Sequence, residues 1–406
     1  MPWRDIMTII TTDWKCDPES SPFEVVERKG VGHPDTLADG IAELGSVLFS
    51  QYCLSEFGAV LHHNLDKVAV IGGWARFSWT DGHYERPLRV VFGGRASSAL
   101  GSRQIPVREI LEEAASQYLS YALPGYRNMP VEFVHLTRDS SKRPYWFRPR
   151  DLDDLPELRR PRANDTAFLI GNSPRTRAET IALLFEAELR KNEWAGSDIK
   201  VLVVRREDSY KITACVPILV GHAKGPADYM AALAAAHAQL LSRARTLLPS
   251  SEIDLVLNSS QAHLLAHDEA NAGYVNMSGS ATDYGEDGMV GRGNGRGGLI
   301  VPQRMHGNEV LFGKNPTYHV GKVVGYFVDE IATRLSSLGV AVECAMTTRN
   351  GCALSTPATC AIRVSGDVDR DMAEGIVADV MGADDRIDAI VKGRRYVPSI
   401  AHAGYG

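Results

Sequence analysis

Three carboxylates recur at four-residue intervals in the segment from Glu27 to Glu43, which reads ERKGVGHPDTLADGIAE. Asp35, Asp39 and Glu43 would share one face of a helix, where like charges at this spacing repel each other. A bound cation such as Mg²⁺ would relieve that repulsion, whereas the simpler interpretation is a solvent-exposed acidic face. His33 precedes the predicted helix, at a place where backbone N–H groups favour anions. The segment therefore predicts a phosphate-and-metal site.

A second segment, from Gly279 to Arg304, combines glycines with charged side chains of both signs. Eight of its glycines lie between Gly279 and Gly298. Close approach of the backbone to a polyanion explains this mixture, because carboxylates suit a metal ion and guanidinium groups suit phosphate. The charged members are Asp283, Glu286, Asp287, Arg292 and Arg296.

The same segment contains a formal dinucleotide-binding pattern, Gly293-x-Gly295-x-x-Gly298. That pattern requires a helix directly after it, whereas the sequence continues with LIVP, which predicts a strand ended by proline. The chain also has no GxxxxGK run followed by Ser or Thr. Neither a Rossmann site nor a P-loop is therefore predicted.

Three shorter segments place polar side chains beside predicted elements. FGKNPTYHVGK puts Lys314 in a turn just before a predicted helix, although one lysine alone is weak support for a site. LHHNLDKVAVIGG has adjacent His62 and His63 before a strand, and such pairs are more often incidental than ligands. RANDTAFLIG puts Asp165 at the start of a strand.

Helices and strands that recur in blocks along the chain must position these segments. Apolar side chains at helical spacing, such as Leu37, Ile41, Leu44 and Leu48, predict a helix over 36–57. Similar spacing predicts helices over 106–121, 176–194, 226–247, 321–338 and 369–382. β-rich runs predict strands over 68–73, 88–92, 131–136, 167–171, 199–204, 212–220, 253–257 and 360–364.

This pattern predicts an α+β fold in which helices cover one face of each sheet. No low-complexity tract or long linker separates the blocks. Boundaries near 130 and 250 divide the chain into units 1–130, 131–250 and 251–406. The sheets of these units could exchange strands across the boundaries.

Composition excludes several classes of protein. The chain has 406 residues, enough for two or three domains with their own cores. Its 44 Lys+Arg against 50 Asp+Glu argue against binding of nucleic acid or anionic membranes through bulk charge. No apolar run approaches the roughly 18 residues of a membrane span, and the N-terminus does not resemble a signal peptide. We therefore expect a soluble cytoplasmic protein with no nucleic-acid or membrane partner.

The cysteines are scattered without a CxxC pair, which predicts reduced, mostly buried thiols and argues against a disulfide framework or structural zinc. His263 and His267 have the spacing of two helical ligands in HLLAH, but the Glu of a zinc-protease motif is missing, so a surface helix is expected. The six cysteines are Cys16, Cys53, Cys215, Cys344, Cys352 and Cys360.

Taken together, the motif segments resemble the S-adenosylmethionine synthetases (methionine adenosyltransferases) of the archaeal type. The resemblance is collinear, covers roughly 22–365, and rests on ERKGVGHPDTLADGIAE, LHHNLDKVAVIGG, RANDTAF, GEDGMVGRGN and GKNPTYHVGK. GHPD followed by Ser or Thr is characteristic of the archaeal-type branch, whereas the common bacterial branch has GHPDK. Five ordered motifs of this length leave little room for chance.

The resemblance implies that the sulfur of L-methionine attacks C5′ of ATP and expels the triphosphate chain, which is then hydrolysed to pyrophosphate and phosphate. Sulfur needs no general base, so the protein must position the substrates and neutralise a highly charged leaving group. The implied cofactor is Mg²⁺, and a role for K⁺ is left open.

The resemblance also assigns roles to individual residues. His33 would hydrogen-bond the 5′ oxygen as it leaves, and Asp35 would bind Mg²⁺ with help from Asp39. Lys314 and Arg292, together with Lys211, would hold phosphate oxygens. The other implied substrate-binding residues are Glu27 near the adenosine, Asp66 in a segment where the branch has NTD, Ser141, and the acids Asp165 and Asp287, which would orient substrate or bind metal.

Family members are built from three similar α+β units and pair as homodimers, with active sites to which both chains contribute. The resemblance implies this architecture and this partner for the present chain.

Departures from the family pattern are concentrated in loops. TRDSSKRPYWFRPRD, at 137–151, stands in place of a Gly-rich turn and retains at most Ser141 from it. FSWTDGHYERP, within 74–87, stands in place of an FGGG turn. The arginine expected directly after GRGN is Gly295 here, with Arg296 one place later.

We expect residues 138–147 to form a loop over the substrate pocket, and the alternative is a surface insertion with no role. Basic side chains beside aromatic ones suit recognition of a charged planar ligand. Anions would meet Arg138, Lys142 and Arg143, and Tyr145 or Trp146 would stack on a purine or cover the acceptor.

Three functions follow from these observations. The leading hypothesis is an active methionine adenosyltransferase, and the second is an adenosyltransferase for a methionine analogue in a specialised pathway. The third is a catalytically lapsed homologue that binds nucleotide or regulates a partner. Charged side chains are costly to hold close together, so their retention speaks against the third hypothesis. The retained set is His33, Asp35, Asp287, Arg292 and Lys314.

Overall fold

The computed structural model describes residues 7–11, 17–143, 145–258, 273–383 and 385–399. Cys16, His263 and His267 lie outside these residues, so the expectations stated for them stay predictions. None of the helices in the described part is long and apolar enough to cross a membrane.

All six helices predicted from apolar periodicity are present. They are α1 (Pro34–Phe57), α2 (Val107–Ala122), α3 (Arg177–Leu189), α4 (Pro226–Leu247), α5 (Val320–Ser336) and α6 (Arg370–Gly382). Helix α3 ends five residues before the predicted position 194. Asn192 explains this, because its side-chain amide donates to the carbonyl of Leu189 at 3.0 Å and closes the helix there.

The strands include every predicted β-rich run, together with others that were not predicted. They are β1 (Met7–Thr11), β2 (Phe23–Lys29), β3 (His63–Asn64), β4 (Val68–Ile71), β5 (Trp74–Phe77), β6 (Gly82–Arg86), β7 (Leu88–Phe92), β8 (Arg95–Ala96), β9 (Ala99–Leu100), β10 (Arg103–Gln104), β11 (Val131–His135), β12 (Phe168–Ser173), β13 (Lys200–Arg206), β14 (Ser209–Cys215), β15 (Ile218–Leu219), β16 (Glu252–Leu257), β17 (Val275–Asn276), β18 (Gly288–Met289), β19 (Val342–Thr347) and β20 (Thr359–Val364).

The single strand predicted over 212–220 is wrong, because two strands occupy this run. Strand β14 ends at Cys215, and β15 begins at Ile218 in a different sheet. Pro217 lies between them and has no N–H to donate to a sheet ladder, which accounts for the break.

Three four-stranded sheets form the framework, with strand orders β11-β7-β4-β18, β16-β14-β13-β2 and β1-β20-β19-β12. One apolar core joins the first sheet to α1 and α2, a second joins the next sheet to α3 and α4, and a third joins the last sheet to α5 and α6. The mixed α+β class is therefore confirmed.

The sheets take strands from distant parts of the chain. Strand β2 pairs with β13, β18 pairs with β4, and β1 pairs in parallel with β20. Each pairing spans one or both of the positions near 130 and 250. The division into units 1–130, 131–250 and 251–406 stays a prediction.

Candidate active site

His33 forms the N-cap of α1. Its Nδ1 accepts the backbone N–H of Asp35 at 3.2 Å, so the proton of the neutral ring lies on Nε2. Burial, with the charge of Lys29 as the next largest cause, lowers the pKa of His33 to about 4. At neutral pH the residue is therefore an uncharged donor through Nε2–H at the positive end of a helix.

Close glycine packing holds the Gly-rich segment against the start of α1. A Cβ on Gly288 would lie 1.9 Å from the carbonyl oxygen of Pro34, so only glycine fits there. The backbone N–H of Met289 donates to Asp35 Oδ1 at 3.1 Å, and that of Gly291 donates to Asp39 Oδ1 at 2.8 Å. The α1 carboxylates therefore anchor this segment.

Two lysines that the sequence reasoning missed lie beside His33. Lys29 Nζ donates to Asp35 Oδ2 at 2.9 Å and to the carbonyl of Arg292 at 2.7 Å. Lys200 Nζ lies 3.1 Å from Glu27 Oε1, and both lysines contribute to lowering the pKa of His33. Their strand positions were the available signal, because Lys29 ends and Lys200 begins a run in which buried side chains alternate with partly or fully exposed ones.

The third carboxylate of the predicted ladder has a lysine partner from another helix. Glu43 and Lys322 of α5 form an ion pair in which both side chains are 0% exposed. The N–H of Gly313 also donates to Glu43 Oε2 at 3.0 Å. For Glu43, a lysine supplies the positive charge for which the sequence suggested a metal ion.

The residues fit a magnesium ion that arrives with phosphates. Asp39 Oδ2 is buried and has no hydrogen-bond partner in the described structure, and burial raises the pKa of Asp39 well above its usual range. A nearby cation would offset that cost. No group of three or more His, Cys, Asp or Glu among the described residues could enclose a metal. Mg²⁺ in nucleotide sites commonly takes one or two carboxylates plus phosphate oxygens, which Asp35 and Asp39 can supply.

A second group of charges surrounds Lys314. This lysine is 6% exposed, its Nζ donates to Glu309, and it lies 4.0 Å from Asp66 Oδ2. Ser46 of α1 donates to its backbone carbonyl at 3.1 Å. His33 and Ser46 lie roughly 20 Å apart along α1. Glu309 is followed by Val310, whose side chain packs on Gly291 beside Asp39, so the two groups approach each other on that side.

The remaining candidates from the sequence are less closely grouped. Asp287 Oδ1 accepts the N–H of Gly72 at 2.9 Å, beside the glycine packing at Pro34. Asp165 is exposed, and its side chain accepts the backbone N–H of Thr166. The neighbouring Asn164 accepts the backbone N–H of Val320, the first residue of α5. Ser141 and Lys211 are exposed and make no described contact with either charge group. Their predicted roles are not tested.

An aromatic stack joins the substituted loop after β11 to Tyr318, four residues after Lys314. Trp146 stacks on the buried ring of His62 at 4.5 Å between centroids, and His62 meets Tyr318 edge-on at 4.6 Å. The guanidinium carbon of Arg143 lies over the ring of Trp146, 4.2 Å from its centroid. Neither ring nitrogen of His62 forms a hydrogen bond among the described residues, although Nε2 lies 3.9 Å from Glu157 Oε2, and burial lowers the pKa of His62 to about 3. In this structure, the ring on which Trp146 stacks is therefore the side chain of His62.

The two other departures from the family pattern, at 74–87 and at Arg296, make contacts within the fold. Residues 74–87 form the β5–β6 hairpin, whose Trp79 packs against Tyr229 of α4. Arg296 is turned inward, with Nε 3.1 Å from Asp329 Oδ2 and a further bond to the carbonyl of Ile170. It therefore cannot replace an arginine that faces phosphate directly after GRGN.

The sequence is similar to those of known proteins over most of its length. A family model described as S-adenosylmethionine synthetase (AdoMet synthetase) matches residues 8–392. An uncharacterized protein of Streptococcus pyogenes serotype M3 is 35% identical over 384 residues, covering 91% of this chain and 93% of the relative. The S-adenosylmethionine synthase of Methanococcus vannielii is 31% identical over 338 residues, covering 80% and 81%. That of Thermoplasma volcanium is 33% identical over 327 residues, covering 76% of each chain.

Proposed function

The chain belongs to the S-adenosylmethionine synthetase family, a family of methionine adenosyltransferases, and we propose that it makes S-adenosylmethionine from ATP and L-methionine. The observation that supports this most strongly is the state of His33. A neutral ring with Nε2–H free to donate, beside Lys29 and Lys200, suits an oxygen that gains negative charge as C5′–O breaks.

In the proposed reaction the sulfur lone pair of methionine forms a bond to C5′ while the C5′–O bond breaks and its electrons stay on the triphosphate. The backbone anchors at Asp35 and Asp39 fix the segment that carries Arg292. Lys314 and Arg292 would then hold phosphate oxygens. Mg²⁺, when bound by Asp35 with Asp39 and the phosphates, would neutralise part of the same charge. We assign no residue to K⁺.

A direct assay tests the proposal. Purified protein is incubated with ATP, Mg²⁺ and a panel of thioether amino acids that includes L-methionine, and adenosylated products, phosphate and pyrophosphate are measured. Formation of S-adenosylmethionine with methionine as the best acceptor supports the proposal. Nucleotide binding without product from any acceptor would show a lapsed enzyme.

Lys314→Ala should lower kcat about 30-fold with a smaller effect on ATP affinity. The lost interaction is a charged hydrogen bond of about 2 kcal/mol that matters most as charge accumulates on the departing triphosphate. Lys67→Ala is the matched control, because Lys67 also pairs with Asp66 but is 65% exposed. If Lys314→Ala weakened ATP binding and left kcat unchanged, Lys314 would not stabilise the departing triphosphate.

One observation favours the second function, transfer to a methionine analogue. The substituted loop contacts His62 through Trp146, and His62 contacts Tyr318, four residues after Lys314, so the sequence of the loop can change the shape of that region. Grafting a short Gly-rich turn in place of 138–143 should then shift acceptor preference or ATP affinity while Tm barely changes. Unchanged kinetic constants and acceptor preference would identify the loop as an insertion with no role.

We also propose that two copies of this chain pair through the open sheet faces. The face of the sheet β11-β7-β4-β18 that points away from α1 and α2 presents partly exposed apolar side chains, including Ile71, Val91 and the 41% exposed Met289. Apolar area of this kind marks an interaction surface. Val91→Asp should convert a dimer to a monomer in light scattering, and activity should fall with it if the sites are shared. A monomeric wild-type protein with full activity would refute this proposal.

A further inference from the structure

A buried ion pair lies behind the candidate active site, on the face of β2 that packs against α3. Glu27 and Lys29 point toward the site, whereas the side chain of Arg28, between them on the strand, points into the core. Its Nε lies 2.6 Å from Oε2 of Glu186 in α3, and both side chains are 2% exposed. The pair therefore lies directly beneath residues that face the site.

The pair binds the backbone of two segments of the candidate site. Oε1 of Glu186 accepts the N–H of Val31 at 2.8 Å, in the turn just before the N-cap of α1. Nη1 of Arg28 donates to the carbonyl of Gly298 at 2.6 Å, at the end of the Gly-rich turn 295–298. One ion pair therefore joins the turn that precedes the proposed hydrogen-bond donor to the segment that carries a proposed phosphate ligand.

The turn before α1 is also bonded to the chain that leads into β13. Gly30 and Gly32 donate their N–H groups to the carbonyls of Ile199 and Ser197, at 2.7 and 3.0 Å. A Cβ on Gly30 would lie 2.6 Å from the carbonyl oxygen of Ile199, so the two stretches of backbone are in direct contact. The bond to Glu186 adds an anchor in α3, and two separate elements therefore fix this turn.

The Gly-rich segment is bonded to β2 at two places. The side chain of Asn294 bonds to the N–H and to the carbonyl of Lys29, at 3.0 and 2.7 Å. Arg28 binds Gly298 four residues later, where φ is +81° and a Cβ would lie 3.2 Å from Nη1. The stretch directly after Arg292 is therefore attached to β2 at both of its ends.

Stability alone does not account for a buried pair of this kind. Removing two charges from water costs free energy, and replacing a buried pair by apolar residues of similar size often leaves stability unchanged or raises it. An apolar replacement cannot supply the acceptor for the N–H of Val31 or the donor for the carbonyl of Gly298. The geometry that the pair imposes on these two segments is what distinguishes it from an apolar contact.

We propose that Arg28 and Glu186 are positioning residues for adenosyl transfer. They hold the turn that leads to His33 and the segment that carries Arg292 at the separation that lets both act on one triphosphate. This inference rests on the proposed function. A misplacement of about 1 Å can lower a rate about 10²-fold, so loosening the pair should lower kcat more than substrate affinity.

A second buried pair in the same sheet provides the matched control. Arg205 Nε lies 3.1 Å from Glu24 Oε2, and their side chains are 3% and 6% exposed. Glu24 is four positions before Arg28 on the same face of β2, roughly 13 Å away. Arg205 also donates to two carbonyls, those of Ser21 and Pro18, which precede the strand. Disrupting this pair should disturb the core in a similar way without reaching the candidate site.

Two double variants remove both charges of one pair and keep a side-chain acceptor in place of the glutamate. They are Arg28→Met with Glu186→Gln, and Arg205→Met with Glu24→Gln. Both should fold with similar Tm, because neither leaves one charge of its pair buried without the other. Only the first should lower kcat for S-adenosylmethionine formation, at least about tenfold, with a smaller change in KM for ATP and methionine.

Hydrogen exchange of the protein without substrates reports on the same geometry independently of activity. In the first double variant, amide exchange in residues 289–298 should be faster than in the wild type, whereas the control double variant should leave it unchanged. A wild-type protein that forms no S-adenosylmethionine would refute the proposed function. The exchange rates would still decide whether the pair positions the Gly-rich segment.

Arg28→Lys covers the case in which the first double variant does not fold. Lysine keeps a positive charge beside Glu186, but one ammonium group cannot replace two guanidinium nitrogens that bind Glu186 and Gly298 separately. Its Tm should therefore stay near that of the wild type while kcat falls. Equal kcat in the two double variants, or wild-type kcat in Arg28→Lys, would overturn the proposal. Unchanged exchange of 289–298 in these Arg28 variants would overturn it as well.

Discussion

His33→Asn is expected to slow adenosyl transfer at least about 10²-fold while the hydrolysis of added triphosphate continues. The scale is that of one positioned hydrogen-bond donor to a developing oxyanion. Asparagine can still cap α1, because its side-chain oxygen accepts backbone N–H groups, but it is too short to place a donor where Nε2–H lies. The two steps are measured separately, by S-adenosylmethionine formation and by phosphate release from triphosphate.

His33→Ala provides the control for capping. Both variants lose the Nε2–H donor, but only alanine also loses the cap, at a cost of about 1 kcal/mol in stability. Similar rates in the two variants with a lower Tm for alanine would support the donor role. Equal loss of transfer and triphosphate hydrolysis in His33→Asn, at unchanged Tm, would instead make His33 a general phosphate-site residue.

Lys322→Met is expected to destabilise the protein by about 3–5 kcal/mol, because it leaves the carboxylate of Glu43 buried without a counter-charge. Both side chains are 0% exposed, so water cannot compensate. A loss of this size should lower Tm by roughly 10 °C, measured by differential scanning calorimetry.

The double variant Lys322→Met with Glu43→Gln tests the cause. Glutamine is neutral and can still accept the N–H of Gly313, so most of the lost stability should return. A double variant as unstable as Lys322→Met would show that lost packing around the lysine stem, and not the unpaired charge of Glu43, is the main cause of the destabilisation.

Local patterns predicted the helices and the His33–Asp35 end of the candidate site. Apolar spacing determines α1 within one stretch of chain, and the GHPD motif places His33 directly before it. Strands β1, β2 and β19 were missed, since a strand of five to seven residues depends on partners far away in sequence. The Glu43–Lys322 pair joins residues 279 positions apart, so no local pattern could reveal it.

Lys200 shows the same limit within the site itself. It reaches Glu27 because β13 pairs antiparallel with β2, a register that brings residues 200 and 29 opposite each other. From composition alone it is an ordinary surface lysine at a strand start, and Lys211 on the next strand was the sequence-based choice. Only the sheet register distinguishes the two.

The parallel pairing of β1 with β20 has a consequence for synthesis on the ribosome. Met7 lies opposite Thr359, so the first strand emerges 352 residues before its partner. At about 5–20 residues per second, that interval is roughly 18–70 s. Throughout it the β19–β20 edge does not exist and β1 has no native neighbour in its sheet. The nascent chain therefore carries the β1 segment without its native partner for nearly all of its translation, and an unpaired strand edge is prone to pair with other chains.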